Sequence, residues 1–278
     1  LRANREANEL VMEDRVEYRW YMDDDKRIDH IETHEKLLSQ KLVEECMVAT
    51  NRCAAKFLRD HNCNGPFVRH RGFRSDRKDE VGRFLKKFLP ELAEANLEEV
   101  SSYRDIMKQL SASSSELPLR SMANRLLTRA ELNTEAGAHM GMGLECYSNC
   151  TSPLRKYTDY LAHRQIKSAL HEGPVDQLKQ AQLQQLGDNI SRARQASQQA
   201  ELWLQCRFLL PHAGEEHDGK ITHMNSSGFT VKLKNWGIEG LVDLRKDPEK
   251  FSFDRWTASL ASPTRSFQLE QDLKIKIE

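Results

Sequence analysis

The chain has 278 residues, of which 38% are hydrophobic and 30% are charged, a balance that excludes a disordered segment and favours a soluble, helix-rich protein. Its 42 basic and 42 acidic side chains cancel, so nucleic acid could be bound only through local basic clusters and not through global charge. No apolar run is long enough to cross a membrane, and we expect no membrane partner.

The first half of the chain is predicted to open with a β-hairpin and to continue as helices. Residues 10–34 are expected to form strands around the turn Asp23-Asp24-Asp25. Apolar residues at helical spacing predict a helix over residues 36–60, which ends in the turn sequence at 62–66. Three further helices are predicted, over residues 76–90, 101–113 and 116–131.

The second half is predicted to change from helices to strands. Thr151-Ser152-Pro153 predicts the start of a helix over 152–171, because Pro suits the first helical position. A long polar helix is expected over 176–208. Beyond Pro211, short alternating segments between Gly and Asn-Ser turns predict a small β-barrel. The predicted strands are 218–222, 228–233, 240–242 and 273–277.

Positive charge is concentrated at the start of the predicted 152–171 helix. Arg155 and Lys156 are followed by His163-Arg164. Cations at a helix N-terminus oppose the helix dipole, so they indicate an anion at that place, such as a phosphate. A solvated helix start with ordinary surface charges is an equal alternative from these residues alone.

Three sequence blocks then occur in a recognisable order. The first is Leu-Val-Met-Glu-Asp-Arg at residues 10–15 with Tyr18-Arg19, and the second is Leu-Val-Glu-Glu-Cys-Met-Val-Ala-Thr-Asn at 42–51. The third is Gly-Leu-Glu-x-Tyr at 143–147, followed by Thr-Ser-Pro-Leu-Arg-Lys-Tyr-x-Asp at 151–159. Together they resemble the ribonuclease II (RNB) family of 3′-to-5′ exoribonucleases over essentially the whole chain. The block at residues 10–15 is similar to the bacterial ribonuclease II branch.

The resemblance implies an α+β fold with two domains. Residues 1–210 would form the helix-rich C-terminal part of an RNB catalytic domain. Residues 211–278 would form a small OB-fold β-barrel, similar to the RNA-binding domain first described in ribosomal protein S-one and clipped at its last strand. The implied activity is processive, Mg²⁺-dependent hydrolysis of single-stranded RNA to nucleoside 5′-monophosphates, with single-stranded RNA as the partner.

Arg155 is the predicted catalytic residue. A guanidinium can hold two phosphate oxygens as charge develops on them, and the resemblance places Arg155 against the phosphate that is cleaved. The alternative is an ion pair with Asp159 at helical spacing. His163 is interpreted as a buried, structural hydrogen-bonding residue.

Further RNA contacts are expected near Arg155 and in the barrel. Glu44, taken as a buried carboxylate, would suit a ribose 2′-hydroxyl, and an ion pair is an equal alternative. The other predicted RNA contacts are Lys156, Tyr157, Arg164, Phe229, Lys232, Lys234 and Trp236. The barrel residues combine aromatic and basic side chains on one hairpin, which is typical of RNA-binding OB surfaces. Phe229 is equally compatible with the core, because strands bury alternate residues.

The carboxylates needed for Mg²⁺ are not evident. The resemblance implies the pattern Asp-x5-Asp-x-Asp-Asp upstream of the 36–60 helix, and no segment matches it. Asp23-Asp24-Asp25 is interpreted as a hairpin turn. We therefore expect no metal ligands in this chain, which would be inactive alone and would take the missing N-terminal part as a companion. The competing interpretation is a non-catalytic RNA-binding fragment or a degenerate relative.

Two departures from the family pattern affect the expected grip on RNA. Met12 stands where the family has an aromatic residue that stacks on bases, and Ser197 stands where it has a Glu near the RNA. The six cysteines are irregularly spaced, which is typical of free thiols in a reducing compartment. We accordingly expect a cytoplasmic location.

Overall fold

The structure, a computed structural model, describes residues 1–11, 16–171 and 177–278, so Met12 lies outside the described residues. It has a mixed helix-and-sheet fold, which confirms the predicted α+β class. The chain divides into two compact units: residues 1–13, 37–113 and 123–193 form the first, and residues 14–36, 114–122 and 194–278 form the second. The domain boundary after residue 210 stays a prediction.

The described residues form seven α-helices, which lie mainly but not wholly in the first unit. They are α1 (Arg2–Asn8), α2 (Leu38–Asp60), α3 (Lys78–Phe88), α4 (Val100–Ala112), α5 (Leu119–Asn124), α6 (Tyr157–Leu170) and α7 (Gln180–Leu209). The predicted helix over 36–60 is therefore confirmed as α2. No helix among the described residues combines the length and apolar character that a membrane span requires.

The helix predicted over 116–131 is wrong beyond Asn124. Leu126 accepts a backbone hydrogen bond from Arg74, and Thr128 donates one to Gly72, each at 2.8 Å. These backbone groups are used by a neighbouring extended segment, so they cannot close helical turns.

Short strands occur in both units. They are β1 (Glu17–Met22), β2 (Ile28–His34), β3 (Phe67–Arg69), β4 (Glu131–Asn133), β5 (Glu216–Asn225), β6 (Gly228–Leu233), β7 (Glu239–Asp243), β8 (Ser252–Asp254), β9 (Ser259–Ala261), β10 (Ser266–Gln268) and β11 (Asp272–Lys276). β1 and β2 pair antiparallel, as the predicted hairpin requires. In its turn, the Asp23 carboxylate accepts a hydrogen bond from the Arg27 backbone N–H at 2.8 Å.

One buried cluster of the first unit lies where α2 and α6 face each other. Leu58 of α2 and Ala162 of α6 are fully buried and pack with Phe67 of β3. Cys146 and Cys150 belong to the same buried cluster. Cys146 and Cys150 thus attach the segment that leads into α6 to this buried cluster.

Besides the β1–β2 hairpin, the second unit contains two small antiparallel sheets with a common core. One has the strand order β11-β5-β6-β7 and the other has the order β10-β9-β8. The buried residues Ile221, Phe229, Val231 and Leu260 come from both sheets. The sequence analysis did not predict strands β8 to β10, because a strand of three residues shows too little alternation of apolar and polar side chains. The OB-fold assignment stays a prediction.

Candidate functional site

Arg155 lies in a tight turn that precedes α6. The Ser152 carbonyl accepts hydrogen bonds from the backbone N–H groups of Arg155 and Lys156, at 3.2 and 3.0 Å. The helix then begins at Tyr157. The predicted helix start at residue 152 is therefore wrong, because this turn occupies residues 152–156.

Asp159 holds this turn against the first turn of α6. Its carboxylate is fully buried and accepts hydrogen bonds from the Ser152 backbone N–H and the Thr158 hydroxyl, both at 2.9 Å. Each carboxylate oxygen has its own donor. Asp159 is thus a partner of the backbone, and the alternative ion pair with Arg155 is not formed.

The segment before the turn is fixed by side chains from α2 and α6. The Asn51 side chain is buried, donates to the Tyr147 hydroxyl and accepts from the Cys150 backbone N–H, both at 2.8 Å. His163 Nε2 lies 2.7 Å from the Cys150 carbonyl oxygen. His163 is exposed and not buried as expected, although it does make a hydrogen bond. The sequence analysis did not single out Asn51, the last residue of the second sequence block, which supports the segment before the turn.

Exposed side chains project from the end of this turn, whose backbone is held by the hydrogen bonds described above. Arg155, Lys156 and Tyr157 are all exposed, and the Tyr157 ring stacks on Tyr160 with 5.8 Å between ring centroids. The Arg155 side chain makes no hydrogen bond or ion pair to another residue in the described part of the chain. The structure therefore places two cations at the end of the turn and an aromatic ring on the first residue of α6.

The glycines before this segment permit a close backbone approach. Gly143 has a φ of +66°, and a Cβ atom there would lie 3.0 Å from the Leu10 backbone nitrogen. The Leu10 N–H donates to the Met142 carbonyl at 3.1 Å. Glycine is required because an L side chain would be strained at this φ and would crowd the chain that enters from α1.

Two histidines beside these glycines are held neutral. Burial lowers the pKa of His139 to about 4, and the neighbouring imidazole of His70 adds to this effect because two adjacent rings cannot both be protonated without repulsion. Burial also lowers the pKa of His70, whose Nδ1 accepts the backbone N–H groups of Gly72 and Gly141 at 3.2 and 3.1 Å. An acceptor nitrogen must be unprotonated, so these contacts require the neutral imidazole.

The buried carboxylate of α2 is Glu45, and this corrects the expectation for Glu44. Glu45 is 3% exposed and accepts a hydrogen bond from Arg5 Nη1 at 2.7 Å, whereas Glu44 is half-buried. The prediction missed Glu45 because it did not include α1, which carries Arg5. Arg164 is exposed on α6.

The four residues predicted in the C-terminal strands have different environments. Phe229 is 2% exposed in the core, so its predicted surface position is wrong and its ring offers no face to a base. Lys232 Nζ lies 4.8 Å from the Tyr18 ring centroid, and Lys234 Nζ lies 2.9 Å from the Asp272 carboxylate. Trp236 is half-buried and contacts His212 and His217.

The described residues do not fit a Mg²⁺ centre. Mg²⁺ prefers several oxygen ligands, chiefly carboxylates and water. Within residues 1–11, 16–171 and 177–278, the one group of three metal-capable side chains is His212, Glu215 and His217. Two imidazoles in a set of three favour a softer ion. Where Mg²⁺ would be bound stays a prediction.

Comparison with known proteins identifies a family over more than half of the chain. The family model described as RNB domain matches residues 1–172. "Exoribonuclease 2" of Photorhabdus laumondii is 31% identical over 240 residues, covering 86% of this chain and 37% of that protein. "Exoribonuclease 2" of Xenorhabdus bovienii is 32% identical over 236 residues, covering 84% and 36%. The chain thus spans little more than a third of the length of these relatives.

Solved structures share the fold. RNase R of Mycoplasma genitalium, in complex with ribose methylated single-stranded RNA, matches with a TM-score of 0.75 and 19% identity over 99% of this chain and 45% of that one. Yeast Ssd1, described as a pseudonuclease, matches with a TM-score of 0.59 and 18% identity over 81% of this chain and 29% of that one. At these identities the similarity establishes the fold alone.

Proposed function

Because the chain belongs to the RNB domain family, we propose that it forms part of a 3′-to-5′ exoribonuclease that hydrolyses single-stranded RNA. Arg155 binds the phosphate that is cleaved and stabilises the charge that develops on its oxygens. The observation that carries this proposal is the exposed Arg155 on a turn whose base is fixed by Asp159 and Asn51.

A fixed base matters because catalysis requires the guanidinium to be in place before the reaction. A long Arg side chain on a mobile loop would lose conformational freedom on binding each substrate, and this would reduce the stabilisation it gives. Here the backbone of the turn is already held by three hydrogen bonds, from Ser152 to Asp159 and from Arg155 and Lys156 to Ser152. Only the Arg155 side chain itself then has to be ordered.

The neighbouring residues suit the RNA strand. Lys156 would contact a second phosphate as a point charge, and the exposed Tyr157 ring could stack on a base or sugar. Glu44 and Arg164 remain proposed RNA contacts on α2 and α6, and Lys232, Lys234 and Trp236 remain so in the C-terminal strands. The processive release of nucleoside 5′-monophosphates is part of the same proposal.

We place the divalent-metal ligands of this reaction in an upstream segment. The metal would position water and neutralise phosphate charge when bound there. For the 278-residue chain alone we expect binding of single-stranded RNA without cleavage. Metal-dependent cleavage by the highly purified chain, abolished by EDTA, would contradict this placement.

The test of Arg155 uses the complete enzyme with its upstream segment and a labelled single-stranded RNA. We expect Arg155→Ala to lower single-turnover cleavage by about 10²–10³-fold, the usual cost of losing one transition-state donor. Binding of a long RNA should stay nearly unchanged, because most of its contacts lie elsewhere.

A matched control is Arg192→Ala, which removes an exposed arginine from α7. It should leave cleavage unchanged. Asp159→Ala should reduce cleavage while Arg155 is still present, because the turn loses its buried acceptor. Unchanged cleavage by Arg155→Ala would refute the assignment of the phosphate ligand.

A second candidate function is RNA binding without catalysis. The observation that favours it is the structural similarity to a pseudonuclease, since it shows that this fold occurs without nuclease activity. The sequence encoded directly upstream separates the two: the spaced Asp pattern would support the exonuclease, and its absence would support the binding protein.

A further inference from the structure

Three metal-capable side chains converge in the second unit, far along the chain from Arg155. His212 Nδ1 lies 2.9 Å and His217 Nε2 lies 3.1 Å from the same oxygen, Oε2 of Glu215. The three ligand atoms all lie within 4.8 Å of one another. The Trp236 ring covers the group, with its centroid 4.7 Å from those of both imidazoles.

The backbone that carries these side chains is fixed. His212 ends a short 3-10 turn, and its carbonyl accepts the Glu215 N–H at 3.1 Å. The Glu215 carbonyl accepts the Ile277 N–H at 3.0 Å, and Gly214 donates to the Ile277 carbonyl at 2.7 Å. His217 follows on β5, where it pairs with Ile275 of β11. The ligand atoms are thus brought together by paired backbone.

The distances between these atoms suit a coordinated ion. Two ligand bonds of about 2.1 Å that meet at the tetrahedral angle separate their donor atoms by about 3.4 Å. The observed nitrogen-to-oxygen separations of 2.9 and 3.1 Å are slightly shorter, so a small side-chain movement would admit the ion. Without an ion the imidazole N–H groups donate to this oxygen, and on metal binding each neutral ring would take the tautomer that carries its proton on the other nitrogen.

We propose that His212, Glu215 and His217 form a binding site for a divalent transition-metal ion, with Zn²⁺ as the ion it takes. Imidazole nitrogen suits Zn²⁺ better than Mg²⁺. The solvent exposure of the ligands indicates what completes the coordination shell of the ion. The side chain of His217 is 13% exposed, and that of Glu215 is 51% exposed. Water therefore has access from the Glu215 side and fills the remaining position.

We assign this site a structural role, whereas the proposed nuclease centre has a catalytic role. It ties the turn after α7 to the first strand of the C-terminal sheet, and Trp236 shields its imidazoles. Binding that occurs only in the folded state stabilises that state, so Zn²⁺ should hold these strands together.

The test is calorimetric titration with Zn²⁺ of the 278-residue chain, with the exposed Cys46, Cys53 and Cys206 replaced by Ser to remove competing thiolates. We expect one Zn²⁺ per chain, undisturbed by excess Mg²⁺, together with a higher melting temperature. His217→Gln should weaken Zn²⁺ binding at least about 10-fold, the smaller end of what even an outer-shell partner costs.

The control variant is His30→Gln. His30 also lies beside carboxylates, 2.7 Å from Asp29 and 3.7 Å from Glu32, but it has no second imidazole. Its replacement should leave Zn²⁺ affinity unchanged. Trp236 emission should respond to Zn²⁺ in the parent chain, and this response should disappear in Trp236→Phe while the binding heat remains.

A folding defect can be distinguished from a lost ligand. His212→Gln and His217→Gln are accepted as tests only where their circular dichroism matches that of the parent chain, and Glu215→Gln provides a third variant that keeps the side-chain shape. Equal Zn²⁺ affinity in the parent chain and in all three variants would overturn the proposal, as would displacement of Zn²⁺ by Mg²⁺.

Discussion

At the scale of single residues, the position of Arg155 depends on the hydrogen bonds that its neighbours make. The sequence singles out Arg155 but pairs it with Asp159, because residues four apart are neighbours on a helix. In the structure residues 152–156 form a turn, and the buried Asp159 accepts the Ser152 N–H instead. Spacing therefore predicts which residues are near each other only where the helix is actually present.

His139 gives a prediction for pH dependence. Its pKa is about 4 in the folded chain and about 6.5 when unfolded, so only the unfolded chain takes up a proton between these values. Stability is fully present above pH 6.5 and should fall by about 2–3 kcal/mol as the pH drops towards 4.

Urea unfolding of the parent chain and of His139→Gln at pH 7.5 and pH 5 would measure this effect. The Gln variant cannot titrate at this position, and its stability should change less between the two pH values. Replacing the exposed His171 by Gln should leave the pH dependence as it is. The prediction would be contradicted if the free energy of unfolding changed equally between pH 7.5 and pH 5 in the parent chain and in His139→Gln.

At the scale of elements, α1 is held to α2 by buried charge. Arg5 Nη1 lies 2.7 Å from the Glu45 carboxylate, and Arg5 Nε lies 3.5 Å from Glu9. Arg52 of α2 pairs with Glu9 in turn. The sequence did not indicate α1, because a seven-residue helix without a side-chain cap has little intrinsic signal. Its stability comes from these partners.

Glu45→Ala should therefore be strongly destabilising. The Arg5 side chain is only 10% exposed, and it would lose its short contact, at a cost of about 3 kcal/mol in the free energy of unfolding. The double variant Arg5→Met/Glu45→Leu should recover much of this loss, because the buried Glu9, which Arg5 also contacts, keeps its pair with Arg52. Urea midpoints at a constant m value would measure both.

The control for this pair is Glu6→Ala. Glu6 pairs with Arg2 at 2.8 Å on the surface of α1, and such exposed pairs contribute less than about 1 kcal/mol. An equal loss in the free energy of unfolding for Glu45→Ala and Glu6→Ala would show that burial does not strengthen the contact between Glu45 and Arg5.

At the scale of the whole molecule, zero net charge limits how RNA can be bound. The 42 basic and 42 acidic groups produce no general attraction for a polyanion, so the affinity for RNA that we propose would depend on a few cations in contact with phosphates. The salt dependence of RNA binding should then respond to single lysines.

We expect Lys156→Ala to reduce the slope of log affinity against log salt by about 0.7, the contribution of one phosphate contact on a single strand. Lys250→Ala, which removes an exposed lysine from the loop before β8, should leave the slope unchanged. Fluorescence anisotropy of a labelled single-stranded RNA over a range of KCl concentrations would measure it. An unaltered slope in Lys156→Ala would remove Lys156 from the RNA contacts.

The sequence by itself determined the family, the β1–β2 hairpin, helix α2 and the strand-rich C-terminal end, while the role of Arg155 stays a prediction. Each of these is encoded locally, in a motif or in the spacing of apolar residues. Tertiary structure alone decided that Asn51 fixes Cys150, 99 residues away, and that Glu45 is the buried carboxylate of α2. The physical reason is that burial and the choice of hydrogen-bond partner are set by distant segments, which local periodicity does not bring together.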